Sequence, residues 1–439
     1  MKLNREILRL AVPSILANIT VPLVGMADIA VAGHLPAASG AALIGGLTIG
    51  TMLFELLYWN FGFLRTGTGG LTAQAYGRGD NTGGILRRAL RIALVSGAGL
   101  IALQWAVVWL AFLVVDCSPE VQALATRYFH ICIWAAPAVL SLFAFKGWFI
   151  GMQDSVRPMT ADLLVNGVNI ALSVGLGFGT PLGFAGVAWA TVISHWTGFL
   201  YCCLALRRRY RSQLSDAKPA PAKDFFALNR DLFLRSLGMV AIYIGFTVLS
   251  ARFGDLMLAV SAILMKLLML FSYFIDGFAY AGEALSGRFI GARDASGLRS
   301  AVRNVFLWSG GVVMLFLLVY GVAGVPLLRL MTSDAAVVQA GRAFLPWLLL
   351  MPLFGCPAFT WDGIFTGATA GRDLRDSVLL SVICFFGLWW ACTTFMGDGL
   401  TPVFAIHLLM AAYFLHLVVR SAWLSARARK VIFSDTSTR

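Results

Sequence analysis

A single carboxylate interrupts the first apolar stretch of the chain. Between Arg9 and His34 the side chains are apolar or small, apart from Asn18, Thr20 and Asp28. An acid in hydrocarbon costs at least a few kcal/mol, so Asp28 is a group that titrates or binds a cation, or one that neighbouring hydroxyls and amides satisfy. At 1.5 Å per residue it lies ~9 Å past the middle of its span. Pro22, earlier in the same span, removes a backbone hydrogen bond and permits a hinge.

Other polar residues recur at helical spacing. Asp162, Asn166, Asn169 and Ser173 are four, three and four positions apart and share one face. Such a stripe in hydrocarbon must turn toward protein or water, either to bind a ligand or to join helices. Lys266, Tyr273, Asp276, Tyr280 and Glu283 follow at intervals of seven, three, four and three. Tyrosines beside carboxylates suit aromatic and cationic ligands; a charge network holding helices together is the competing reading. No phosphate-cradling G-x-x-x-x-G-K-[ST] is present, and no catalytic triad or H-E-x-x-H stands out. The seven cysteines form no C-x-x-C pair, and only Cys117 is expected to be exposed. These residues point away from an enzyme and call for no cofactor or metal. Work done by such a chain would draw on an ion gradient through its intramembrane titrating groups.

The elements that must position these groups are membrane spans. Hydrophobic residues make up 59% of the 439 residues and charged residues 13%, against roughly half and a quarter in a soluble domain. Twelve apolar segments of spanning length lie between residues 7 and 422, which predicts an all-α polytopic membrane protein. Placing the N-terminus and every second loop on one side collects most of the 34 Lys and Arg there, including RRRYR at 207–211. Arg252 and Arg329 fall in the opposite loops. That bias predicts both termini in the cytoplasm of a plasma (inner) membrane protein. The net charge of +13 is then a topology signal rather than a nucleic-acid footprint. MKLNREILRL reads as a cytoplasmic lead into the first span and not as a removed signal peptide.

The chain also repeats itself. GLTAQAYGRGDNTGGILRRAL (70–90) aligns with ALSGRFIGARDASGLRSAVRN (284–304), and KGWFIG (146–151) with DGIFTG (362–367). Six spans per repeat make the two halves parallel, as in secondary transporters. The expected organisation is an N-terminal bundle at 1–206, a cytoplasmic linker at 207–229 containing PAPAK, a C-terminal bundle at 230–424 and a tail at 425–439. Lys146 and Asp362 occupy equivalent positions with opposite charge, which suggests a cytoplasmic gate between them. The competing expectation is that each pairs inside its own bundle, with Arg65, Asp276 or Glu283 at hand.

PSILANITVPLVGMADIAVAGHL, GLTAQAYGRGD, NRDLFLRSLG and DGFAYAGEALSG, together with the repeat, resemble the MATE multidrug and toxin exporters, and within them the DinF branch. The resemblance covers essentially the whole chain. It implies twelve helices in two six-helix bundles around a central V-shaped cavity. It also implies antiport of lipophilic or organic-cation drugs against protons, or alternatively sodium, by a monomer in the lipid bilayer. It points to the first-span Asp28 as the coupling group, and Tyr128 and Thr191 resemble other polar positions of the N-terminal cavity. Many relatives carry a second aspartate where Ser173 stands here, and others a glutamate in the seventh span, which this chain lacks. A flippase for lipid-linked precursors, from the wider superfamily, is the rival transport function.

Overall fold

The structure, a computed structural model, describes residues 2–35, 40–113, 115, 117–215, 222–332, 334–396 and 400–434. Residues 216–221 of the expected linker and 435–439 of the tail lie outside the described residues. Every described element is a helix. The first nine are α1 (Lys2–Gly33), α2 (Gly40–Trp59), α3 (Phe63–Arg78), α4 (Gly83–Ala102), α5 (Gln104–Phe112), α6 (Pro119–Cys132), α7 (Ala136–Gly151), α8 (Val156–Gly179) and α9 (Phe184–Arg209). Then follow α10 (Arg211–Ser215), α11 (Ala222–Ala251), α12 (Asp255–Gly291), α13 (Ala295–Met331), α14 (Ala335–Gly341), α15 (Leu345–Gly367), α16 (Gly371–Met396) and α17 (Pro402–Val431).

Among the described residues, eleven stretches are long and apolar enough to cross a membrane, and α4 with α5, bent by 61° at their junction, makes twelve if the pair is counted as one span. Several single spans contain a break: α2 with α3, α6 with α7, and α14 with α15. Helix starts are locally encoded. Ser118 accepts from the Val121 N–H just ahead of Pro119, and Thr401 does the same for Phe404 ahead of Pro402. Proline fits there because the first turn has no use for its missing N–H.

Packing divides the chain into two units, residues 16–225 and residues 1–15 with 226–439. In the first, α8 lies along α9, α3 and α4 along α7, and α2 along α6. In the second, α12 lies along α13 and α15, and α16 along α17. The first fifteen residues belong with the second unit. A Cβ at Gly277 would fall 2.8 Å from the Ala11 carbonyl oxygen, and Glu6 pairs with Arg288 at 2.8 Å.

The sequence repeat is a repeat of backbone geometry. A Cβ at Gly147 would lie 2.1 Å from the Arg65 carbonyl oxygen, and one at Gly151 would lie 2.7 Å from that of Gly69, so α7 and α3 touch main chain to main chain. Gly363 and Gly367 repeat this in α15, at 2.0 Å from the Ala279 oxygen and 2.3 Å from the Glu283 oxygen of α12. Small residues one turn apart are the usual means for spans to approach this closely. The turns repeat too. Gly79 and Arg293 both take a left-handed conformation (φ 77° and 55°), as do Gln153 and Thr369 (φ 61° and 55°).

Candidate functional site

The polar stripe of α8 reaches three other helices of its unit, one residue at a time. Asp162 meets Lys146 of α7 at 2.5 Å. Asn166 donates to the Thr20 hydroxyl of α1 at 2.7 Å, and Asn169 donates to the Thr191 hydroxyl of α9 at 3.1 Å. Ser173, fully buried, donates to Asp28 Oδ1 at 2.8 Å. Thr20 and Asp28 are about two turns apart, as are Asn166 and Ser173, so the two bonds hold α1 and α8 parallel.

Asp28 is 7% exposed and accepts from a hydroxyl rather than from a cation. A neutral partner leaves the carboxylate charge uncompensated, which is what a proton or a cationic ligand can exploit. Tyr128 and Cys132 of α6 lie beside Thr191 and feel the charge of Asp28. The Cys132 thiol donates to the Ala188 carbonyl at 3.6 Å. Among the described residues, Asn169 Oδ1 and the Tyr58 hydroxyl are buried without a hydrogen-bond partner. Each such atom costs about 1–3 kcal/mol and keeps a hydrogen-bonding capacity open to water or a ligand group. Pro22 lies inside α1, which runs through it without a break.

His195 belongs to this line of residues and was not singled out from the sequence. Its Nδ1 sits 2.7 Å from the Thr191 carbonyl, one turn along α9, and the charges of Lys146 and Asp162 act on it. The signal was present as Thr191 and His195 at i and i+4, but isolated histidines on apolar helices carry little weight.

The second unit places its residues differently from the first. Lys266, Tyr273, Asp276, Tyr280 and Glu283 all lie on α12. Lys266 is exposed, Tyr273, Asp276 and Tyr280 are partly buried, and Glu283 is buried. The expected gate partners have local counter-ions instead. Lys146 pairs with Asp162, and Asp362 with Arg235 of α11 and Arg420 of α17. Arg65 donates to the adjacent Thr66 hydroxyl at 3.3 Å. Opposite charges at equivalent repeat positions therefore reflect two separate ion pairs, each made inside its own unit. Arg235 and Arg420 had no sequence signal beyond their position within apolar helices.

The MatE family model matches residues 13–175 and 232–394. The chain is 35% identical to DNA damage-inducible protein F of Escherichia coli (strain K12) over 415 residues, 90% of each chain. It is 25% identical to a probable multidrug resistance protein NorM of Xanthomonas campestris over 402 residues, 87% of this chain and 83% of the relative. Among solved structures, a MATE in the bent conformation superposes with a TM-score of 0.85 at 18% identity, over 98% of this chain and 97% of that one. An outward-facing multidrug resistance MATE transporter of the MOP superfamily gives 0.83 at 19% identity, over 98% and 96%. With both halves of the chain matched, and a DinF relative along nearly its whole length, the protein belongs to the MatE family, whose members are transporters rather than enzymes.

Proposed function

We propose that this transporter exports lipophilic and organic-cation compounds in exchange for protons, and that Asp28 is the group for which proton and substrate compete. The observation that carries the reading is the Asp28–Ser173 contact, a buried carboxylate that accepts from a neutral hydroxyl. Relatives named as multidrug resistance proteins support the substrate class. The Lys and Arg bias supports cytoplasmic termini in the plasma membrane. Tyr128, Asn169 and Thr191 supply hydrogen-bonding groups around the carboxylate, and Pro22 supplies a weak point in α1 six residues away.

Sodium coupling is the second reading. The unmet Asn169 Oδ1, with oxygens from Asp28, Ser173 and Thr191, is the chemistry a hard cation takes. Counterflow of ethidium in vesicles, under an imposed pH gradient or an imposed sodium gradient, separates the two. Native protein should respond to the pH gradient and Asp28→Asn should not, at equal amounts in the membrane. Full proton-driven exchange by Asp28→Asn would overturn the assignment; a response to sodium alone would replace the coupling ion.

A further inference from the structure

Three helices of the second unit converge on one carboxylate. Asp362 of α15 accepts at Oδ2 from the Arg235 guanidinium of α11 and from the Arg420 guanidinium of α17. Arg420 is fully buried. It also meets the Met239 sulfur at 3.6 Å and the Phe359 ring at 5.7 Å, neither of which carries charge.

The charges do not balance. Two guanidiniums and one carboxylate leave one positive charge in the cluster. A buried lysine could shed its proton, but a guanidinium stays ionised. The acid one turn away on α11, Asp231, is engaged by Arg375 at 2.7 Å and Arg230 at 3.3 Å. The hydrogen bonds do not balance either. Nε of Arg235 and Nε of Arg420 are buried without partners, and so is Oδ1 of Asp362. An unpaired interior charge costs several kcal/mol. Water at the two Nε–H groups would satisfy the donors and leave the charge.

We propose that the Arg235–Asp362–Arg420 cluster binds a small monovalent anion, which accepts from the unpartnered guanidinium N–H groups and brings the cluster to neutrality. The Arg235 side chain, 19% exposed, gives the ion a way in from solvent. Chloride and the carboxylate of a transported compound offer the same chemistry. The site is independent of how Asp28 works, since it lies in the other unit and needs no titration.

The test is thermal unfolding of the purified full chain at constant ionic strength, with a bulky buffer sulfonate (HEPES) replaced stepwise by chloride or by benzoate. Saturating anion should raise the native Tm by about 2–4 °C. A response to chloride assigns the free ion, and a response to benzoate alone assigns a carboxylate ligand. Arg235→Met removes the surplus charge, so its Tm should be the same in all three salts. Equal native Tm values in sulfonate, chloride and benzoate overturn the proposal without recourse to any variant. An anion response of native size in Arg235→Met overturns it too.

Discussion

Replacing Asp162 by Asn tests the inner end of the α8 stripe, because it leaves the Lys146 ammonium facing a neutral amide. At 2.5 Å, two unit charges attract by about 6–7 kcal/mol at an effective dielectric near 20. Most of this is offset by the cost of withdrawing the ions from water, and solvent still screens them, with side chains 25% and 21% exposed. A net coupling of about 1–3 kcal/mol remains. Asp162→Asn, Lys146→Met and the double variant, melted in detergent, form a double-mutant cycle. Each single change should lose about 1–3 kcal/mol, and the double should lose less than the sum by a similar amount. Losses that add to within ~0.5 kcal/mol would mean that the two groups do not pair. Asp162 would then be free to serve the Asp28 cavity.

Gly363→Ala should destabilise by about 1–3 kcal/mol, since its Cβ would stand 2.0 Å from the Ala279 oxygen. Gly387→Ala, with nothing within 4 Å, should be neutral or gain up to ~1 kcal/mol from helix propensity; equal melting of the two variants would refute the close crossing. Asp294 caps α13, and the Gly297 N–H, followed by the Ser296 hydroxyl, holds its carboxyl below the usual carboxylate range. The stabilisation is therefore complete above the unfolded value near ~3.9 and is lost as pH falls through the lower folded value. Over that acid window Asp294→Asn should lose less stability than the native chain, read as Tm against pH.

The spans and their number were legible because twenty-residue apolar runs have few other uses. The repeat was legible because the glycines at helix crossings cannot vary without moving two backbones. The α8 stripe was legible as a face, since i, i+4 and i+7 spacing is set by the helix itself. Its partners were not, because a face says nothing about which helix lies across from it. Thr20 could not be told from any other hydroxyl, yet it receives Asn166. The counter-ions of Lys146 and Asp362 were hidden for the same reason. Equivalence along the sequence was visible, whereas Asp162, Arg235 and Arg420 as nearer counter-ions were not. Helix α5 shows the opposite case. Gln104 and His130 meet at 2.9 Å where α4 bends into α5, although that span reads as one continuous apolar run.

The glycine pairs at 147/151 and 363/367 carry a consequence for what the two halves share and where they differ. At the paired positions a Cβ would meet the backbone of the facing helix, whereas the residue just before each pair carries a full side chain. Lys146 and Asp362 stand immediately ahead of those glycines, and each half equipped its own with partners of the opposite sign. The same glycine crossing thus occurs twice, while the charge at its head and the partners it finds differ between the units. A half engineered into a symmetric two-copy protein would keep its glycine crossings and carry the same ion pair twice. Such a chain would show whether transport requires the halves to differ in charge or only to exist as two.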